Sequence, residues 1–284
     1  MLTNLALLLL LALSDSPAPT DLRPTVARIV PVTFKSQALP GERRYLAWLP
    51  PGYREGAGIE YPVVVLLHGL GGEGADWFDP QLGDLQPTLE RFIADKRIAP
   101  FVALAPDGGN GYWTDHIGAP RERYGALIDE VLANAEGRFD LASERVAIVG
   151  VSMGGHGAMS RALMSPAHYR AVVSLSGALF DEPPTHRQIY KKVWGFPADR
   201  EHWSATAPMA IARHLKGDAK LPAIFLACGR VDADRFLDWN TAASRLLSAR
   251  GIAHELVLTE GGHTWTNWRS LTERWLTWLT PYLR

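Results

Sequence analysis

The stretch Val149-Gly150-Val151-Ser152-Met153-Gly154-Gly155-His156 constrains the fold of this chain more than any other. An apolar run, Arg145-Val146-Ala147-Ile148-Val149, precedes it, and small residues lead from it into a helical segment at 158–164. Gly-x-Ser-x-Gly between a buried strand and a helix is the setting of a nucleophile elbow, a turn tight enough to lift the serine hydroxyl clear of the backbone. Gly150 and Gly154 permit that turn because they bring no side chains into it. The reading places Ser152 at the carboxyl end of a sheet strand, with the next amides at a helix start. A merely structural turn is the competing reading.

The rest of the chain alternates around this element. Residues 27–34 and 44–49 read as early antiparallel strands, and 50–61 as a hairpin connection. Residues 63–67 form a continuous apolar run, as in a strand covered on both faces. A helix over 90–98, a strand over 101–105 and a helix over 123–139 follow; in the last, Leu127, Ile128, Val131, Leu132 and Ala135 repeat on one face. Beyond the elbow come strands at 171–175 and 223–228, a helix at 235–250, a strand at 254–258 and a terminal helix at 268–279. This order predicts an α/β fold with a doubly wound, mostly parallel sheet. Residues 180–215 break the rhythm. They hold four prolines together with Tyr190, Trp194, Phe196 and Trp203, and read either as a helical connection whose aromatics fill the core or as a short cap over the site.

At 284 residues the chain supports one large domain, taken here as 19–284. Its 29 basic and 30 acidic residues nearly cancel and form no basic block, so nothing favours nucleic acid as a partner. Cys228 is the only cysteine, which excludes an internal disulfide and a cysteine-based metal cluster; its apolar neighbours suggest a buried, inert thiol. Residues 5–13 are apolar but too short to span a membrane. Followed by Ser14-Asp15-Ser16-Pro17-Ala18-Pro19, they read as an export signal within 1–18, cleaved after Ser14 or Ala18. That would make the protein periplasmic or secreted, with no stable membrane insertion. No Lys or Arg precedes the run and Pro19 disfavours cleavage after Ala18; an uncleaved segment would leave the protein cytoplasmic.

A serine hydroxyl needs a neighbouring base to become a nucleophile. Glu260-Gly261-Gly262-His263-Thr264-Trp265 supplies one, a histidine in a glycine-rich loop between a late strand and the terminal helix. An acid must then fix the tautomer of His263 and stabilise its charged form. Asp232, in Cys228-Gly229-Arg230-Val231-Asp232-Ala233-Asp234, lies nearest the strand end and is the first choice, with Asp234 as its competitor. The order Ser152, Asp232, His263 is that of α/β-hydrolases. Donors for an oxyanion are expected from the Met153 amide and from the turn Leu67-His68-Gly69-Leu70-Gly71-Gly72, with the Leu70 amide the best candidate. His68 reads as a hydrogen-bonder shaping that turn, and His156 as a locally packed residue. Residues 105–113 should reach the same rim, with Asp107 bracing the loop and Tyr112 and Trp113 either lining the substrate or packing. Trp265 and Trp268 pose the same question beside His263. With no phosphate loop and no spaced metal cluster in the sequence, no cofactor or metal is expected.

These motifs together resemble the Putative esterase family of α/β-hydrolases, which includes S-formylglutathione hydrolases of the esterase D type, feruloyl and acetyl-xylan esterases, and antigen 85 mycolyltransferases. The matching residues are 67–72, Pro106-Asp107-Gly108-Gly109, 150–158, Cys228-Gly229-x-x-Asp232 and Gly261-Gly262-His263-Thr264-Trp265. The resemblance implies Ser152 as nucleophile, Asp232 as acid, His263 as base, and Leu70 with Met153 as oxyanion donors. It also implies an acyl-enzyme reaction on a small-molecule or carbohydrate-linked ester: small, aryl (feruloyl-like) or acetylated. Acyl transfer to an alcohol or sugar, S-formylglutathione hydrolysis and a non-catalytic binding role on the same fold are the alternatives. A homodimer is an open assembly.

Overall fold

The apolar runs assemble into one eight-stranded sheet, ordered β1-β2-β4-β3-β5-β6-β7-β8. A computed structural model describes residues 26–118, 122–215, 220–233 and 235–284; the expected export signal at 1–18 and the competing acid Asp234 lie outside them. The strands are β1 (Arg28–Lys35), β2 (Glu42–Leu49), β3 (Tyr61–Leu67), β4 (Val102–Pro106), β5 (Leu141–Val151), β6 (Tyr169–Leu175), β7 (Ala223–Gly229) and β8 (Glu255–Thr259). From β4 to β8 every pairing is parallel, while β1, β2 and β4 pair antiparallel. Every residue of β3 and β4 is buried, as continuous apolar runs require when helices cover both faces. The doubly wound α/β architecture expected from the sequence is present.

One connection differs from expectation. Residues 50–60 do not close a hairpin, because β2 pairs with β4 and β3 lies on the far side of β4. A local turn does form, with the Tyr53 N–H donating to the Pro50 carbonyl at 3.0 Å. The ladder is decided elsewhere: β4 has two edges to pair, and β3 occupies one while β2 occupies the other.

The helices are α1 (Leu85–Ala94), α2 (Tyr124–Glu136), α3 (Met153–Met164), α4 (Gln188–Trp194), α5 (Arg200–Thr206), α6 (Pro208–His214), α7 (Phe236–Ala249), α8 (Trp265–Ser270) and α9 (Thr272–Leu279). Alternate strand residues feed two core layers. Val65, Leu104, Ile148 and Leu226 pack with α2, α3 and α7, while Val64, Leu66, Val149 and Phe225 pack with α1 and α9. Burying each such side chain contributes about 1.5–3 kcal/mol. The α1 helix starts five residues before the expected 90, since Pro87 in its first turn is tolerated where the N–H has no helical partner. The expected terminal helix is two, α8 and α9, with Leu271 between them.

Residues 180–215 contain α4, α5 and α6 and no strand. Tyr190, Trp194 and Trp203 are buried in the core layer, and only Phe196 of the four aromatics is exposed. Those three rings act as packing, as the first of the two readings expected. No helix of the described residues is long and apolar enough to cross a membrane.

Candidate active site

The strand β5 delivers Ser152 in a backbone conformation that a non-glycine residue rarely adopts, with φ 55° and ψ −115°. The sharp reversal sends α3 back across β3, β5 and β6 at close range. A Cβ on Gly150 would overlap the carbonyl of Gly154, and one on Gly154 would overlap those of Leu67 and His68. The turn is therefore closed to any larger residue at either position. This proximity also explains why α3 begins at Met153 and not near Ala158. Met153-Gly154-Gly155-His156-Gly157 has weak helix propensity, but tertiary packing needs the glycines there: Gly155 faces Ser174 and Gly177, and Gly157 faces Trp113.

Three distant loops meet at the elbow. His263, between β8 and α8, has its Nε2 2.8 Å from Ser152 Oγ. Its Nδ1 lies 2.6 Å from Asp232 Oδ1, in the loop after β7. An ionised carboxylate only accepts, so Nδ1 carries the proton and Nε2 is left to accept from the serine hydroxyl. The Asp232 side chain is wholly buried and that of His263 is 20% exposed. Burial works against ionisation of Asp232, yet hydrogen bonds from His263, Ser176 and Cys228 outweigh it and hold the carboxyl below its ordinary range. The arrangement can take a proton from the serine hydroxyl and stabilise the imidazolium that results.

The turn after β3 abuts Ser152: a Cβ on Gly69 would lie 3.5 Å from that of Ser152. Leu70 follows, its side chain exposed. Met153 opens α3, where a first-turn N–H has no partner within the helix. His68, fully buried, ties this turn to the next loop. Its Nε2 accepts from the Gly108 N–H at 3.0 Å, so its Nδ1–H donates to the Gly69 carbonyl at 2.7 Å. Asp107 braces the same pair of loops, accepting from the Gly74 N–H at 2.7 Å and from Arg44. Arg44 also reaches Glu73 at 2.6 Å, and Asn110 Oδ1 accepts from the Gly71 N–H at 2.8 Å.

Tyr112 and Trp113 are placed elsewhere than on an open rim. Both are buried. The Tyr112 ring sits among His156, Phe180, Tyr190 and Trp194, and its hydroxyl lies 3.0 Å from that of Tyr190. Trp113 has no exposed surface; its indole N–H donates to the His68 carbonyl at 3.2 Å and its ring underlies Gly108. The expectation that these two line a substrate is therefore corrected, because each fills space that the glycine-rich loop leaves open. Trp265 remains half-buried, edge-on to Trp77 and Trp268 at 5.3 Å. Trp268 is the ring that packs against His263, at 5.0 Å and 84°. On the other side Phe236 approaches the His263 ring to 4.1 Å. Past Phe236 and Trp239 lies an open cavity of about 860 Å³, lined by Phe180, Asp181, His186, Arg187, Arg235 and Trp239.

Sequence reasoning missed Ser176, Phe236 and the hydrogen-bonding role of Cys228. The buried Cys228 thiol, expected to be inert, lies 3.3 Å from Asp232 Oδ2. A serine just after a strand and a cysteine at a strand end gave no signal beyond ordinary core packing. Among the described residues no cluster of three or more His, Cys, Asp or Glu could hold a metal ion.

Residues 36–276 match the sequence pattern of the Putative esterase family. The chain belongs to that family. Its curated relatives include an acetyl esterase from Caldicellulosiruptor saccharolyticus, 24% identical over 283 residues that cover 89% of this chain and 98% of the relative. Among solved structures it resembles a ferulic acid esterase, with a TM-score of 0.78 and 23% identity over 91% of this chain and 99% of the other. It also resembles an S-formylglutathione hydrolase from Agrobacterium tumefaciens, with a TM-score of 0.77 and 19% identity over 92% and 97% of the two chains. As a Putative esterase family member the protein is a carboxylesterase-type hydrolase on an α/β-hydrolase fold.

Two of the three buried histidines among the described residues, His156 and His68, predict the acid sensitivity of this esterase. Burial pushes His156 down from 6.5 to about 4, against the opposing effect of its hydrogen bond to the Ala178 carbonyl, and lowers His68 in the same way. Each ring is neutral in the fold, so below pH 6.5 the unfolded chain binds protons that the folded one refuses. Stability is thus complete above 6.5 and is lost as pH falls towards 4. Between pH 7 and 5, His156 alone should remove roughly 2 kcal/mol. Urea unfolding at the two pH values measures it, and equal stabilities would contradict the assignment.

Proposed function

We propose that this esterase hydrolyses carboxylic esters through an acyl-enzyme on Ser152, with His263 as general base and Asp232 as the acid that orients it. The observation that carries this reading is the unbroken hydrogen-bonded series from Ser152 Oγ through both nitrogens of His263 to Asp232. Ser152 Oγ attacks the ester carbonyl as His263 Nε2 takes its proton. The carbonyl oxygen, now negative, sits against the Met153 and Leu70 amides, an arrangement in which each donor contributes about 3 kcal/mol to the transition state. Collapse expels the alcohol, which leaves with the proton from the imidazolium. Water then attacks the acyl carbon, giving its proton to Nε2, and Ser152 recovers a proton as the carboxylic acid departs.

The substrates we favour are small, aryl or acetylated-carbohydrate esters. Two observations support that class. The relatives named above include an acetyl esterase and a ferulic acid esterase, and Phe236, against the His263 ring, packs on Trp239 of a cavity that Phe180, Arg187 and Arg235 also line. Trp265, half-buried beside Thr264 and the catalytic histidine, is a second surface for the substrate.

The test is a ranking of kcat/KM for p-nitrophenyl acetate, methyl ferulate, an acetylated xylo-oligosaccharide and an S-acyl thioester, with the released acid quantified. Labelling by a fluorophosphonate probe runs beside it. Oxygen esters should be cleaved to free acid, and the probe should attach to Ser152. Folded protein that neither hydrolyses an oxygen ester nor takes the probe would remove the proposal.

A further inference from the structure

A buried carboxylate must find hydrogen-bond donors inside the protein, because burial alone would drive it to its neutral form. Asp232 finds four. On Oδ1 it accepts from His263 Nδ1–H at 2.6 Å and from the Ala233 N–H at 2.9 Å. On Oδ2 it accepts from the Ser176 hydroxyl at 2.5 Å and from the Cys228 thiol at 3.3 Å. Ser176 Oγ itself accepts from the Trp268 indole N–H at 3.0 Å, which leaves the serine proton to point at the carboxylate. The oxygen remote from the histidine is therefore held as firmly as the one that meets it.

The same turn also holds the nucleophile. The Leu175 carbonyl accepts from the Ser152 N–H at 2.9 Å, and the Ala178 N–H donates to the Ser152 carbonyl at 3.1 Å. Between them, the Ser176 N–H donates to the Ala227 carbonyl at 2.7 Å, and buried Asn240 donates to the Gly177 carbonyl at 2.9 Å. At the end of β6, Leu175 and Ala178 thus bond to the nucleophile, and Ser176 between them bonds to the acid. Ser176 takes φ 47° to do so, a conformation costly for a residue with a side chain. A serine in that conformation, with its hydroxyl between an indole and a carboxylate, makes bonds that a glycine in the same turn could not make.

We propose that Ser176, assisted by the Cys228 thiol, is a positioning residue of the hydrolysis, aiming Asp232 at His263 and keeping it ionised. This rests on the reading of Ser152, His263 and Asp232 given above. Among the described residues, the titratable groups that face the carboxylate are His263 from the loop before α8 and Cys228 from β7; Ser176 from the β6 turn and Trp268 from α8 are uncharged. Burial, and next the charge of Asp232, push the thiol of Cys228 well up from its usual range, so it stays protonated and can donate. Without the Ser176 hydroxyl the opposing effect of burial on Asp232 is less fully offset. The carboxyl should then take up a proton at a higher pH, and the imidazole should lose its aligned partner there.

Ser176→Ala, Cys228→Ala and Cys228→Ser test this through kcat, KM and the pH profile of kcat/KM on p-nitrophenyl acetate, with the fluorophosphonate labelling rate as a second readout. Losing one donor to a charged group should lower kcat in Ser176→Ala by about ten- to a hundredfold, with KM within roughly twofold of wild type. The acid limb of the profile should move to higher pH. Cys228→Ala should move it the same way by less, and Cys228→Ser, which keeps a donor, should return it towards wild type. A folded Ser176→Ala enzyme with an unshifted acid limb would overturn the proposal. Should that variant not fold, superimposable profiles for Cys228→Ala and Cys228→Ser would overturn it equally. Failure of the wild-type protein to label at Ser152 would instead remove the underlying reading of the site. Normal labelling with unshifted variants would remove the positioning role alone.

Discussion

Ser152→Ala lowers ester turnover by on the order of a million-fold, the loss found when the nucleophile of a coupled serine constellation is deleted. The expectation follows from the geometry, since no other hydroxyl stands within hydrogen-bond distance of His263 Nε2 among the described residues. The fold should survive. Ser152 is strained at φ 55° whether it carries a hydroxyl or a methyl group, and its backbone bonds to Leu175, His156 and Ala178 remain. The check is kcat/KM on p-nitrophenyl acetate together with thermal unfolding. A folded variant that kept even a tenth of wild-type turnover would show that hydrolysis does not pass through this hydroxyl.

Asp232→Asn is the second large effect, a fall in kcat on the order of ten-thousandfold. The amide is nearly the same size, so the loss is chemical. An asparagine can present its NH2 to His263 Nδ1, which makes that nitrogen an acceptor and moves the ring proton to Nε2, where it blocks proton uptake from Ser152. Ser176 and Cys228 favour that orientation, because the amide oxygen then takes the place of Oδ2 and accepts from both donors. Asp234→Ala, measured in parallel, should leave turnover within a few-fold of wild type, as is usual for residues outside such a constellation. A greater loss at Asp234 than at Asp232 would reassign the acid.

The parts of this site that are legible in the sequence are those whose chemistry forces a local pattern. A strand that ends in Gly150-Val151-Ser152-Met153-Gly154 has little choice but to turn sharply, and a histidine after two glycines at a strand end can reach the same rim. The continuous apolar runs at 63–67 and 101–105 identify central strands for the same reason: both faces must be covered. What the sequence does not display is the outcome of competition between distant partners. Residues 50–60 carry ordinary turn chemistry, yet β2 pairs with β4 instead of β3, a choice made by sheet edges that no local window contains. Met153 to Gly157 look unlike a helix because their glycines serve neighbours on β3, β6 and the Trp113 loop. Ser176, Cys228 and Trp268 each satisfy an ordinary packing rule, and only their convergence on one carboxylate distinguishes them. Tyr112 and Trp113 mislead for the opposite reason, since aromatic residues in a glycine-rich loop suit an open rim and a filled interior equally well.

The burial of Tyr112 against Tyr190 and Trp194 bears on attempts to change what this esterase accepts. Segments inserted between sheet strands are attractive units for transplantation between homologues, because their ends lie close to the scaffold. Here the 180–215 insertion shares its aromatic interior with a loop from the other half of the molecule. A chimera that imported the insertion alone would leave Tyr112 facing a foreign surface, and the mismatch would be passed through Trp113 and His68 to the turn that abuts Ser152. Swapping both pieces as one cassette is the route by which selectivity could be redrawn without dismantling the chemistry.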